Sequence, residues 1–124
     1  MSDLPPGKWS PLLVGHQWPS AASIATTGAG AANRRGVGER FNRYADRLQA
    51  ALHGPIDAQE GVTASNAQLA FEEGMSSARD IASKNLLKSG EYESVRLSVT
   101  ELRADLLGIA LEGNKEIDAI QASD

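Results

Sequence analysis

The 124-residue sequence contains no cysteine, which excludes a disulfide framework and any thiolate-bound metal, so packing alone must hold the fold. Aromatic residues are scarce at 5% while apolar residues reach 41%. A core must therefore come from Leu, Ile, Val and many Ala, a palette that suits closely packed helices better than sheets. No stretch approaches the ~18 consecutive apolar residues of a membrane-spanning helix. The opening MSDLPPGKWSPLL has neither a basic start nor a long apolar run, so no cleavable secretory signal of the usual kind is expected. The expectation is a soluble, all-α protein of one domain with a thin core and no membrane span.

Catalytic chemistry is also in short supply. The two histidines, His16 and His53, have no second His or Cys at ligand spacing, so neither a metal site nor a catalytic base is expected. Glu72-Glu73 and the Glu91/Glu93 pair point in different directions on a helix and read as solvated faces, not as a shared acid–base site. The glycine-rich run Gly28, Gly30, Gly36, Gly38 lacks the spacing of a dinucleotide loop, and no strand precedes it. Either its small residues let two helix backbones approach closely, or it is a flexible elbow. The chain is read as a non-enzyme with no cofactor.

Charge is distributed unevenly. Residues 1–55 hold six basic and three acidic groups, and residues 56–124 hold six basic and thirteen acidic, within a net charge of −4. Arg40, Arg43 and Arg47 share one helical face, with Arg34 and Arg35 just upstream. The overall acidity argues against nucleic acid and for pairing of these arginines with the acidic helices or with a partner protein.

Four of the five prolines (Pro5, Pro6, Pro11, Pro19) and both tryptophans (Trp9, Trp18) fall within residues 1–20. Proline at this density predicts an extended leader, with the indoles as anchors along a groove. The pattern then predicts three helices, about 20–53, 56–88 and 91–122, in a domain spanning 21–124. Ser20 or Ser23 is expected to cap the first. His53-Gly54-Pro55 reads as its stop, and Asp57 and Glu60 favour the positive end of the second helix. Lys88-Ser89-Gly90 reads as a second break. In the last helix Tyr92, Val95, Val99, Leu102, Leu106, Ile109 and Gly113 alternate in steps of three and four, the seam of a coiled coil. Leu107 and Leu111 widen it, so more than one neighbour is expected. The architecture expected is an elongated helical hairpin or three-helix bundle, its first two helices antiparallel and the leader lying across them.

The step Gly15-x-x-Trp18-Pro19, followed by a long Ala-rich helix, a Gly-Pro break and further helices, resembles the helical N-terminal domains of actinobacterial proteins exported by type VII secretion. These are relatives of the ESAT-like WXG family, some leading into polymorphic toxins. The resemblance implies that Gly15, Trp18 and Pro19 form the motif and anchor. It further implies a non-catalytic module that pairs with a small WXG-like helical protein and reaches the cell surface or exterior without a signal peptide. The partner interface expected is Val95, Val99, Leu102, Leu106 and Ile109. Two features depart from the family: the Trp step precedes the first helix where the family has Trp-x-Gly between helices, and no Tyr lies four residues before an acidic residue after the last helix. The alternative is a cytoplasmic, homodimeric coiled-coil protein with a structural or regulatory role.

Overall fold

A computed structural model describes residues 3–56 and 61–123. Within these, 88% of the chain is helical and no strand occurs. The elements are α1 (Ser10–Val14), α2 (Ala21–Ala51), a π-type turn (Leu52–Ile56) and α3 (Val62–Ser123). The chain groups into two compact units, Gly30–Tyr92 and Met1–Ala29 with Glu93–Asp124.

The leader is not extended throughout. Pro11 sits in the first turn of α1, where its missing N–H costs nothing and its fixed φ suits a helix, so the proline starts a short helix. α2 begins where Ser20 places its hydroxyl 3.0 Å from the Ser23 N–H, a side-chain cap. It ends at the expected stop: Gly54 adopts φ −122° and ψ −108°, which no helix accommodates. Asp57 and Glu60 lie outside the described residues. α3 starts after Gly61, whose φ of +105° favours glycine.

The expected break at Lys88-Ser89-Gly90 is absent, and residues 62–88 and 91–122 belong to one 62-residue helix. Ser89 turns inward and donates its hydroxyl to the Ala31 carbonyl at 2.7 Å, so its polarity is satisfied by α2. Gly90 is exposed with open space around its Cα, a weak point in helix propensity and nothing more.

In the Gly30–Tyr92 unit, α2 and α3 run antiparallel, as Ala31 meets Ser89, Gly38 meets Ala82 and Leu86, and Leu48 meets Gly74. Small residues make this possible. Ala31, Gly38 and Ala45 recur every seven residues on α2, and Ala78 and Ala82 face them from α3, all buried. A Cβ on Gly38 would lie 2.7 Å from Leu86 Cγ and 3.1 Å from the Ala82 carbonyl oxygen. Gly38 is therefore a close-packing position, the first of the two readings, whereas Gly36 of the same run has no heavy atom within 4 Å of where a Cβ would stand. Arg79 donates to Asp46 at 3.0 Å and to Gln49 at 3.1 Å along the exposed edge, an ion pair of small net value.

In the other unit the leader lies along the C-terminal half of α3. Val14, Leu106 and Ala110 form its buried core, with Leu4, Leu13 and Trp18 packed against them. Gly113 leaves room for Leu13, whose Cδ1 would stand 2.7 Å from a Cβ there.

Candidate functional site

Two polar clasps hold the leader to α3, one on each side of that small apolar core. In the first, the Arg103 guanidinium forks onto the Asp3 carboxylate at 2.8 and 3.0 Å and donates to the Pro19 carbonyl at 2.7 Å. Its Cζ lies over the Trp18 ring, 4.4 Å from the centroid, a cation–π contact joined to a two-pronged carboxylate bond that Lys would not reproduce. The Trp18 indole N–H donates to the Asp3 carbonyl at 3.0 Å, and the Ala21 N–H at the start of α2 donates to the Asp3 side chain at 2.9 Å. The hydrogen-bonded Arg103 first, and the Ala21 N–H second, hold the Asp3 carboxyl well below the usual carboxylate range. The hydrogen bonds to Asp3, with its negative charge, raise the Arg103 pKa in turn.

The second clasp is built on buried Asn114. Its amide oxygen accepts from the Trp9 backbone N–H at 2.7 Å, and its amide nitrogen donates to Ser10 Oγ at 3.0 Å and the Ala110 carbonyl at 2.7 Å. Gly7, at φ +131°, lies so close that a Cβ would collide with the Asn114 side chain. The Trp9 indole donates to Asp118 at 3.3 Å. Trp18 and Pro19 thus sit at the first clasp, while Gly15 closes α1, where a methyl group would strike the Pro11 carbonyl.

The inner face of α3 differs from the expected seam by one residue in every second position. The inward rows are Phe71, Met75, Ala78, Ala82, Asn85 and Ser89 in one unit and Arg96, Val99, Arg103, Leu106, Ala110, Gly113 and Ile117 in the other, in steps of four and three, all buried or half-buried. Of the expected interface, Leu106 is 7% exposed and belongs to the leader-facing core, so it is not free for a partner, and Val99 is half-buried. Val95, Leu102 and Ile109, by contrast, are 51%, 45% and 55% exposed. The positions one residue on, Arg96, Arg103 and Ala110, turn inward in their place. An arginine fits an inner position where its partner residue is small: the Arg96 stem passes over Gly28, and its head turns back onto Glu93. That pairing raises the Arg96 pKa.

Beyond the clasps, two open clefts of about 390 and 410 Å³ flank the proline-rich stretch Leu4-Pro5-Pro6, the first also lined by Trp18, Thr100, Ala104 and Leu107. Arg34 donates to Asn85 at 3.2 Å. Arg35, Arg40, Arg43 and Arg47 are exposed and make no ion pair among the described residues, so the expected pairing with acidic helices within the chain is not formed. Among the described residues no group of His, Asp or Glu is placed to hold a metal, and no helix is long and apolar enough to cross a membrane.

Fold and surface together define an all-α protein built on one long helix that carries an apolar row on its outside. The chain is 32% identical over 120 residues, 97% of its length, to the uncharacterized protein Rv2082 of Mycobacterium tuberculosis, and it spans 16% of that relative's length. No family model matches the chain. No solved structure matches it.

Proposed function

We propose that this chain is a non-catalytic helical interaction module that pairs with a helical protein through the outer row of α3. As the resemblance implies, the partner is a small WXG-like protein, and the pair is a folded type VII secretion substrate bound for the cell surface or exterior. One observation carries the reading. Among the described residues, six of the nine buried hydrophobics are alanine, while twelve of the fourteen exposed large hydrophobics lie on α3. A chain that buries alanine and displays leucine gains most of its apolar burial from another molecule. The mycobacterial relative, in which the matching region is a small part of a much longer chain, supports the reading of a module within the actinobacterial group named by the resemblance.

The test is complex formation with small helical proteins encoded beside this chain, read by size exclusion with light scattering. Leu102→Asp is expected to abolish the complex while helical content stays unchanged. An unaltered affinity would remove the outer row from the interface. A stable homodimer of the chain alone would favour self-association, and with it a structural or regulatory role without secretion.

A further inference from the structure

On the association reading, the side chains that border the outer row of α3 set the chemistry of the partner. Val95, Leu102 and Ile109 recur every seven residues and are exposed, so they form one straight row along α3. The adjoining row, three residues on from each, is Ser98, Asp105 and Glu112, all exposed. Glu116 continues the apolar row at its C-terminal end, and Glu101 lies one turn before Asp105, both exposed. None of Glu101, Asp105, Glu112 and Glu116 makes an ion pair among the described residues. Of the basic residues of this segment, Arg96 is committed to Glu93 and Arg103 to Asp3, and exposed Lys115 pairs with none of these carboxylates among the described residues. The row is therefore an apolar ridge with a net acidic border, four carboxylates against the single Lys115.

That border selects the occupant. Two copies of this chain meeting ridge to ridge in antiparallel order would bring carboxylate rows together, a like-charge arrangement that disfavours association, and in parallel order each acidic row would face the flank of Arg96 and Arg103, which are already committed to Glu93 and Asp3. An anionic membrane surface would be repelled in the same way. We propose that the Val95, Leu102 and Ile109 row takes an amphipathic helix whose flanks carry lysine or arginine. Apolar side chains of that helix fill the spaces between the three residues, and its basic flank neutralises Asp105, Glu112 and Glu116.

The test uses the full chain and two synthetic helical peptides that share one Leu/Ile stripe, one flanked by Lys and one by Glu, with binding read by fluorescence anisotropy. The Lys-flanked peptide is expected to bind at least about tenfold tighter, with the gap narrowing as salt is raised. The double variant Asp105→Lys/Glu112→Lys should reverse the preference. Leu102→Asp should lose binding although it adds a negative charge, which separates a docked helix from diffuse attraction, and Leu97→Asp on the opposite flank should leave binding intact. Far-UV circular dichroism checks that each variant keeps its helix, and Ile109→Gln repeats the test with a milder change. Equal binding of the two peptides overturns the charge rule and leaves the association reading standing. Loss of binding in Leu97→Asp with retention in Leu102→Asp moves the site to the other flank and overturns the proposal. Binding of neither peptide by a chain that light scattering finds dimeric assigns the ridge to a second copy; binding of neither by a monomer removes both the proposal and the association reading for this face.

Discussion

At Gly38 the backbones of α2 and α3 approach so closely that the smallest added side chain meets a carbonyl of the facing helix, whereas Gly36, two residues earlier, has no heavy atom within 4 Å of where its Cβ would stand. The two glycines predict opposite signs. Gly36→Ala gains helix propensity and should raise stability by about 0.5–1 kcal/mol. Gly38→Ala must force Leu86 and the Ala82 carbonyl outward and should lower it by about 1–3 kcal/mol, a contrast that thermal unfolding of the two variants would read directly. Asn114 offers a second residue-scale prediction. Asn114→Ala leaves the Trp9 N–H and Ser10 hydroxyl of the second clasp without their amide partner, an expected cost of about 1–3 kcal/mol, read as earlier loss of Trp9 fluorescence in urea. A third follows from Asp3, whose carboxyl is held low by Arg103 and the Ala21 N–H. A carboxyl with a lowered folded value adds stability above its ordinary value, about pH 4, and loses that stability as the pH falls toward the folded value. Trp18 fluorescence should therefore stay constant from neutral pH to about pH 4 and then report release of the leader in stronger acid. In Asp3→Asn the leader should be looser at pH 7 and this acid step should vanish; an unchanged acid step would move its cause away from the clasp.

α3 is the element on which sequence and structure diverge most instructively. Its row Tyr92, Val99, Leu106, Gly113 was legible from spacing, and Val99, Leu106 and Gly113 turn inward. The companion row was not legible, because the inward positions Arg96 and Arg103 carry charge and their apolar neighbours Val95 and Leu102 look like better core. Only the facing Gly28 and the Asp3 carboxylate explain how arginine fits there. The helix stop at Gly54 and the Ser20 cap were readable because they depend on local backbone chemistry. The continuity of α3 through Ser89-Gly90 and the small helix at Pro11 were not, since each depends on a distant partner: the Ala31 carbonyl for Ser89, and Leu106 and Ala110 for Val14 of α1. The split of the seam predicts a matching split in energetics. Leu106→Ala should cost about 2–5 kcal/mol as a core truncation, while Leu102→Ala on the same helix should stay within about 0.5 kcal/mol. Chemical denaturation of the pair decides whether the inner and outer rows are assigned correctly, and similar losses in both would mean they are not.

For the molecule as a whole, the alanine-rich interior limits how much apolar surface folding removes from water, and that quantity sets both the heat capacity of unfolding and its denaturant dependence. The chain alone should accordingly unfold with a shallow urea dependence, near the lower end of the ~1–3 kcal/mol/M range of small proteins. Its stability should then depend on whatever covers α3. A partner that binds only the folded chain, present at 100 times its dissociation constant, adds about 2.7 kcal/mol, a large share of what a thin core supplies. It also buries the leucines left outside, so the urea dependence should steepen as well as shift. Titrating a bound partner into urea melts distinguishes this from simple stabilisation: midpoint and slope rise together if the outer row is completed by the partner, whereas a midpoint that rises at constant slope would mean the partner binds elsewhere and the exposed apolar row is surface.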